Sequence, residues 1–175
     1  MQYIPDHTPV IVGVGQSLER LSGLDVSAAS SPQQMASEAG RLALLDGGNG
    51  ALLGEAIDAI AVVRLFGDSV PPALVPFFAP FGASDNMPRS IAERLKLSPD
   101  LAIYSPACGD EPQYLVTEMC ERIARGEIRA GLICGAETIA TQRQAQKAGV
   151  TLDWRETADG SVEDRGLGIE GLVCP

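Results

Sequence analysis

A thiol placed where a strand gives way to a helix is the feature of this sequence most able to do chemistry. In Ala107-Cys108-Gly109-Asp110-Glu111-Pro112-Gln113 the residues before Cys108 close an apolar run, and those after it suit a helix start. Parallel α/β sheets bind ligands beyond the carboxyl ends of their strands. The partial positive charge of a helix N-terminus favours a thiolate in that position. Cys108 is thus a candidate nucleophile for covalent transfer, and Gly109 a candidate substrate contact. Asp110 and Glu111 follow two and three residues later, and their charge opposes ionisation of the thiol. The competing reading is a small buried residue in a tight turn, since free cysteine is among the most buried residue types.

The other chemistry-bearing residues divide in the same way. Asn86, Met87 and Arg89 in DNMPRSIAERL are candidates to line a cleft, and helix capping with solvated charge also accounts for them. Glu137, in Gly-Ala-Glu, reads either as a helix-opening charge or as a substrate contact. Cys120 and Cys134 fall on an apolar helix face and within a strand, where packing explains them. Cys174, near the end of the sequence, gives no reading. The four cysteines form no CxxC pair and no disulfide spacing, so reduced thiols are expected. His7 is the single histidine, so a His-rich metal site is excluded and a Ser-His-Asp triad would have to use that residue. Gly13-Val-Gly15 could open a dinucleotide fingerprint, but Leu18 stands in place of the third glycine. Those glycines read as turn formers.

The elements that would carry these residues alternate along the chain. Thr8 to Gly15 reads as a buried strand. Ser31 reads as an N-cap, with Pro32 at the first helical position, Gln34 completing a capping box, and Gly47–Gly48 as the stop. Ile57 to Phe66 is a second strand, followed by a proline-rich connection over 70–84. Asp85 or Asn86 is expected to cap the next helix, in which Met87, Ile91 and Leu95 share a face. Leu101 to Ala107 is a third strand. Asp110 is expected to cap the following helix with Gln113 at its third position; Leu115, Met119 and Ile123 form one row, Val116, Cys120 and Ala124 a second, and Gly126 the stop. Arg129 to Ala136 is a fourth strand and Thr138 to Ala148 a short helix. This order predicts an α/β fold with a mainly parallel sheet and right-handed crossovers. Residues 1–149 form the domain, and 150–175 begin a polar excursion whose apolar ending reads as a truncation.

Composition bounds the function. The 175 residues, 45% hydrophobic, suffice for one domain with a core. Thirteen basic residues against twenty-three acidic ones give a formal charge of −10, with no basic, aromatic patch to follow a phosphate backbone. Nucleic acid is therefore not an expected partner. The longest apolar stretches, such as 75–81, are broken by proline and fall short of a membrane span. No secretory signal opens the sequence, so a soluble, cytoplasmic protein is expected.

Several segments together carry a family resemblance: TPVIVGVGQ, SPQQMASEAGRLAL, IDAIAVVRLFG, DNMPRSIAERL, GDEPQYLV, IARGE, ICGAE and EDRGLG. In order and spacing the chain resembles, over about residues 8–172, the amino-terminal half of thiolase-like acetyl-CoA acetyltransferases, the sterol-carrier-protein-type thiolase-like proteins above all. The resemblance implies two similar halves with helices on both faces of each sheet. It also implies an acyl-accepting cysteine at the start of the helix after the third strand, and acyl-CoA as the ligand, with coenzyme A thioester a substrate and no cofactor permanently bound. A histidine and a second cysteine belong to the carboxyl-terminal half, which this chain lacks. Division of labour between nucleophile and base is what such transfer requires. The sequence departs from the pattern where Gly-Asp-Glu-Pro follows Cys108, and counting back from Gly126 sets the family's cysteine nearer Gly109. Glu118, Glu121, Arg122 and Arg125 also place charge along a helix expected to be central. Two functions stay open: acyl transfer, or a degenerate module that holds acyl-CoA or a partner subunit. Uncovered apolar helix surface predicts a homo-oligomer or a second chain supplying the missing half.

Overall fold

Ser31 sets the first helix as its sequence predicts. In the computed structural model, which describes residues 5–20, 22–23 and 25–167, the Ser31 side chain accepts from the Gln34 backbone N–H and the Gln34 side chain accepts from Ser31 N–H. This reciprocal cap opens α1 (Pro32–Asp46), and Gly47 ends it. The helix α2 (Gly50–Ala56) leads into the strand β1 (Ile57–Val62). A 3-10 turn (Phe66–Ser69) and the four-residue α3 (Val75–Phe78) occupy the proline-rich connection. The helix α4 (Met87–Leu95) then precedes β2 (Leu101–Tyr104), and α5 (Glu111–Ala124) precedes β3 (Ala130–Cys134). The last elements are α6 (Ile139–Ala148) and the two-residue β4 (Glu163–Asp164).

The four strands form one sheet, all parallel, in the order β3-β1-β2-β4. Alternation along β1 divides the core. Ile60 and Val62 face α1 and α4, joining Ala36, Leu44, Met87, Ile91, Ala102, Tyr104 and Leu132. Ala59 and Ala61 face the other way, against Leu115 and Met119 of α5 and Ile103 of β2. Full burial of side chains such as Ile60, Ile91, Ile103 and Leu115 stabilises the fold by about 1.5–3 kcal/mol apiece. The small alanines on the α5 side let that helix approach the sheet closely. The second row on α5 is only half covered, as its charge pattern anticipates: Cys120 is partly exposed and Ala124 exposed.

The expected first strand is not one. Residues 8–15 run extended and join no strand, with Val10, Ile11, Val12 and Val14 exposed. Both sides of β1 are taken by β2 and β3, and the segment lies instead along α1. Its glycines serve that approach and not a turn. A Cβ at Gly13 would fall 2.2 Å from the Ala43 carbonyl oxygen, and one at Gly15 would fall 2.1 Å from that of Ala39.

Residues 150–167 are stitched to the domain. Trp154 is buried against the edge of Phe81, ring centroids 5.4 Å apart, beside Leu152, Val26, Ala29 and Ala145. Farther on, Asn86 donates to the Gly160 carbonyl at 3.0 Å and Arg89 to that of Ser161 at 2.8 Å. Arg165 N–H reaches the Tyr104 carbonyl at 3.0 Å. The stretch thus ends as β4 on the edge of β2. Among the described residues, no helix is long and apolar enough to cross a membrane.

Candidate functional site

The connections leaving β1 and β2 pass to opposite faces of the sheet: α4 packs on the Ile60 side and α5 on the Ala59 side. A crevice opens beyond adjacent strands wherever their connections diverge in this way. Cys108 lies on the β2 side of this point, four residues past Tyr104 and three before α5, and it is exposed. The Asp110 carboxyl two residues on is held below its ordinary range, chiefly by the neighbouring Cys108 thiol. Asp110 does not cap α5 with its side chain as expected. Its backbone is helical, and its carbonyl accepts from Gln113 N–H at 3.0 Å. Gly109 beside it is exposed and has open space around its Cα.

A shallow hollow of about 340 Å³ is lined by Pro106 and Glu111, which flank Cys108 in sequence, and by Tyr114 and Arg165, and Cys108 itself is not part of its wall. Glu111, buried in the first turn of α5, has its carboxyl raised by desolvation, against the opposing charge of Arg165 and a hydrogen bond with Ser105. Arg165 is clamped by both oxygens of Glu118 at 2.6 and 2.8 Å and by Glu163 at 2.9 Å. Glu118 also receives Arg122 at 2.9 Å, and the Arg165 hydrogen bonds above all hold its carboxyl at about 2.

The β1 side carries a second cluster. The Arg64 guanidinium lies over the Tyr104 ring, 4.1 Å from its centroid. It donates to the Gly166 carbonyl at 3.0 Å and to Asp164. The Tyr104 hydroxyl donates to Asp68 at 2.6 Å and accepts from Leu65 N–H, and burial, reinforced by the Asp68 charge, raises its pKa.

The remaining residues singled out in the sequence are dispersed. Met87, 1% exposed, opens α4 and packs into the core with Ile60 and Ile91. Asn86 precedes α4 without capping it; its side-chain N–H donates to Gly160 while its Oδ1 is buried without a hydrogen-bond partner, and Asp85 accepts from Ala158 N–H. Glu137, at the carboxyl end of β3, accepts from Phe66 N–H at 2.6 Å. Desolvation raises its carboxyl against that bond, and Asp68 adds to the rise. The Cys134 thiol is pushed up to about 12 by burial, as packing requires. Cys174 lies outside the described residues. His7 sits against Gly126 at the far end of α5, about 20 Å along the helix from Cys108. Among the described residues no cluster of His, Cys, Asp and Glu could hold a metal. Sequence reasoning missed Glu111, Arg165 and Arg64 as site residues. Glu111 was legible only as a charge near the thiol, Arg64 only as a residue inside the strand expected over 57–66, and Arg165 only as part of the polar excursion.

No protein-family model matches the chain, and no curated protein matches it. Among solved structures it is similar to a monomeric SCP2-thiolase like protein type 1 from Mycobacterium smegmatis, with 34% identity and a TM-score of 0.56. The match covers 73% of this chain and 23% of that one, so the chain spans about a quarter of that protein's length. With its parallel sheet between α1 and α4 on one face and α5 on the other, this chain has a thiolase-like α/β fold.

Proposed function

We propose that this chain provides the nucleophile-bearing half of a thiolase-type acyltransferase that handles acyl-CoA thioesters. The observation supporting it is the place of Cys108: a solvent-open thiol beyond the end of an interior parallel strand, in a connection whose Pro106 and Glu111 line a hollow at the switch of chain direction. In the reaction the Cys108 sulfur attacks the thioester carbonyl carbon. The bond from that carbon to the coenzyme A sulfur breaks, and the thiol proton ends on the released coenzyme A. His7 is out of reach, so the base that moves this proton comes from a further segment or a second polypeptide, and association with such a partner or with another copy belongs to the same reading.

One feature favours a second reading, a thiolase relative that holds acyl-CoA or a partner subunit without forming an acyl-enzyme. The charged group nearest to Cys108 in sequence is the Asp110 carboxylate, negative where an activated thiolate would be served by a positive partner. Alkylation by iodoacetamide against pH, followed by peptide mass spectrometry, separates the two. Acyl transfer requires Cys108 to react faster at neutral pH than an ordinary exposed thiol. A rate no higher than that removes the enzyme and leaves the binding module. Asp110→Asn is expected to raise the rate about threefold to tenfold by removing the neighbouring charge.

A further inference from the structure

The two halves of the Arg64–Asp164 pair are unequally built. The Arg64 side chain is 6% exposed and the Asp164 side chain 55%. The cation is stacked on the body of the domain, while its two hydrogen bonds, to Asp164 and to the Gly166 carbonyl, both run to the 163–166 segment. Arg64 follows β1 directly, its guanidinium lies flat on Tyr104, and Tyr104 is pinned by Asp68 and by the Leu65 N–H. The anion comes from β4, which pairs with β2 at two positions only, Ile103 with Glu163 and Tyr104 with Asp164. Stacking orients the planar fork of Arg64 before any partner arrives, and such a fork matches a carboxylate. Its location, over the last residue of β2 and just past the end of β1, is the crevice where sheets of this kind take their ligands.

We propose that Arg64 is the cation of a carboxylate-binding site at the β1/β2 switch point, and that Asp164 fills it from within the chain, so that a ligand carboxylate must displace the 163–166 segment to bind. The inference does not depend on Cys108 being reactive. Displacement is local, because Arg165, Glu163 and Gly166 belong to the same short segment. Loss of the Arg64 contacts therefore also loosens the wall of the hollow beside Glu111 and Tyr114, which joins occupancy of this site to the shape of that hollow.

Chemical rescue tests the proposal. The thermal midpoints of the full 175-residue chain and of Asp164→Ala are compared in sodium acetate and in sodium chloride at equal ionic strength. Removing Asp164 leaves a buried guanidinium without its anion, so the variant's midpoint falls. Acetate at ten times its dissociation constant is expected to return about 4 °C beyond the effect of chloride, saturably. The double variant Arg64→Met, Asp164→Ala should show no acetate-specific gain. Acetate no better than chloride on Asp164→Ala, or equally effective on the double variant, overturns the site. Asp164→Asn serves if Asp164→Ala does not fold. Failure of both to fold also overturns the proposal, because a replaceable anion cannot be a requirement for folding.

Discussion

Glu118 offers the sharpest test of how the 163–167 segment is held. Its carboxylate takes two bonds from Arg165, across 47 residues of sequence, and two from Arg122 a helical turn away. Its side chain keeps 14% exposure and that of Arg165 20%, so the pair is screened less than a surface pair. These bonds lower the Glu118 carboxyl from 4.5 to about 2. At about 1.4 kcal/mol per pH unit this sets a ceiling of roughly 3 kcal/mol, and residual solvent contact reduces the expectation to about 1–2 kcal/mol. Because the folded carboxyl is the more acidic one, the stabilisation is present in full above the unfolded value of 4.5. It is lost as pH falls toward 2.

Glu118→Gln should therefore destabilise the chain by about 1–2 kcal/mol at pH 7, measured by urea unfolding. The gap between variant and wild type should shrink to under about half by pH 3. Amide exchange should also quicken at Arg165, whose N–H bonds Tyr104. A gap that stays constant from pH 7 to pH 3 would show that Glu118 acts by packing and not by charge. No gap at pH 7 would show that the clamp contributes nothing.

Three further outcomes follow from single positions. Under native conditions iodoacetamide should label Cys108 and leave Cys134 untouched, its thiol pushed up to about 12 by burial; peptide mass spectrometry before and after denaturation reads both. Ile60→Ala, at a fully buried position in the central strand, should cost about 3 kcal/mol in urea unfolding. Gly15→Ala forces a Cβ to within 2.1 Å of the Ala39 carbonyl oxygen. It should lift the 8–15 segment from α1 and speed amide exchange at Val14, whose N–H is held by Asp46 at 2.9 Å.

What the sequence disclosed were features whose causes are local. The Ser31 and Gln34 cap, the Met87 and Ile91 stripe, and the Gly126 stop each arise within a few residues, and each formed as read. The segment 8–15 has the same apolar, β-branched character as β1, but a strand needs a partner, and composition does not state which edges are open. Asp110 shows the same limit at the scale of one side chain. Its spacing to Gln113 fits a capping box, yet its own backbone is already helical and its side chain makes no capping bond. The site was legible at Cys108 because the change from strand to helix is a local signal. Arg64, Glu111 and Arg165 were not, since their roles depend on a segment that returns across the sheet some 100 residues after β1 and pairs beside β2.

The proton inventory around Cys108 limits what these residues accomplish unaided. A free thiol ordinarily ionises near pH 8.5 and an aspartate near 3.9. The Asp110 carboxyl is held below its ordinary range, which makes it a poor acceptor for a thiol proton. Glu111 is the better acceptor in kind, since desolvation raises its carboxyl, but its partners are Ser105 and the Arg165 charge. His7, the single histidine of the sequence, lies at the opposite end of α5. Acyl transfer at Cys108 therefore demands a base brought to the crevice from outside the described residues. If the isolated chain forms an acyl-enzyme from an acyl-CoA at neutral pH with Glu111→Gln in place, a proton path exists that none of these groups provides.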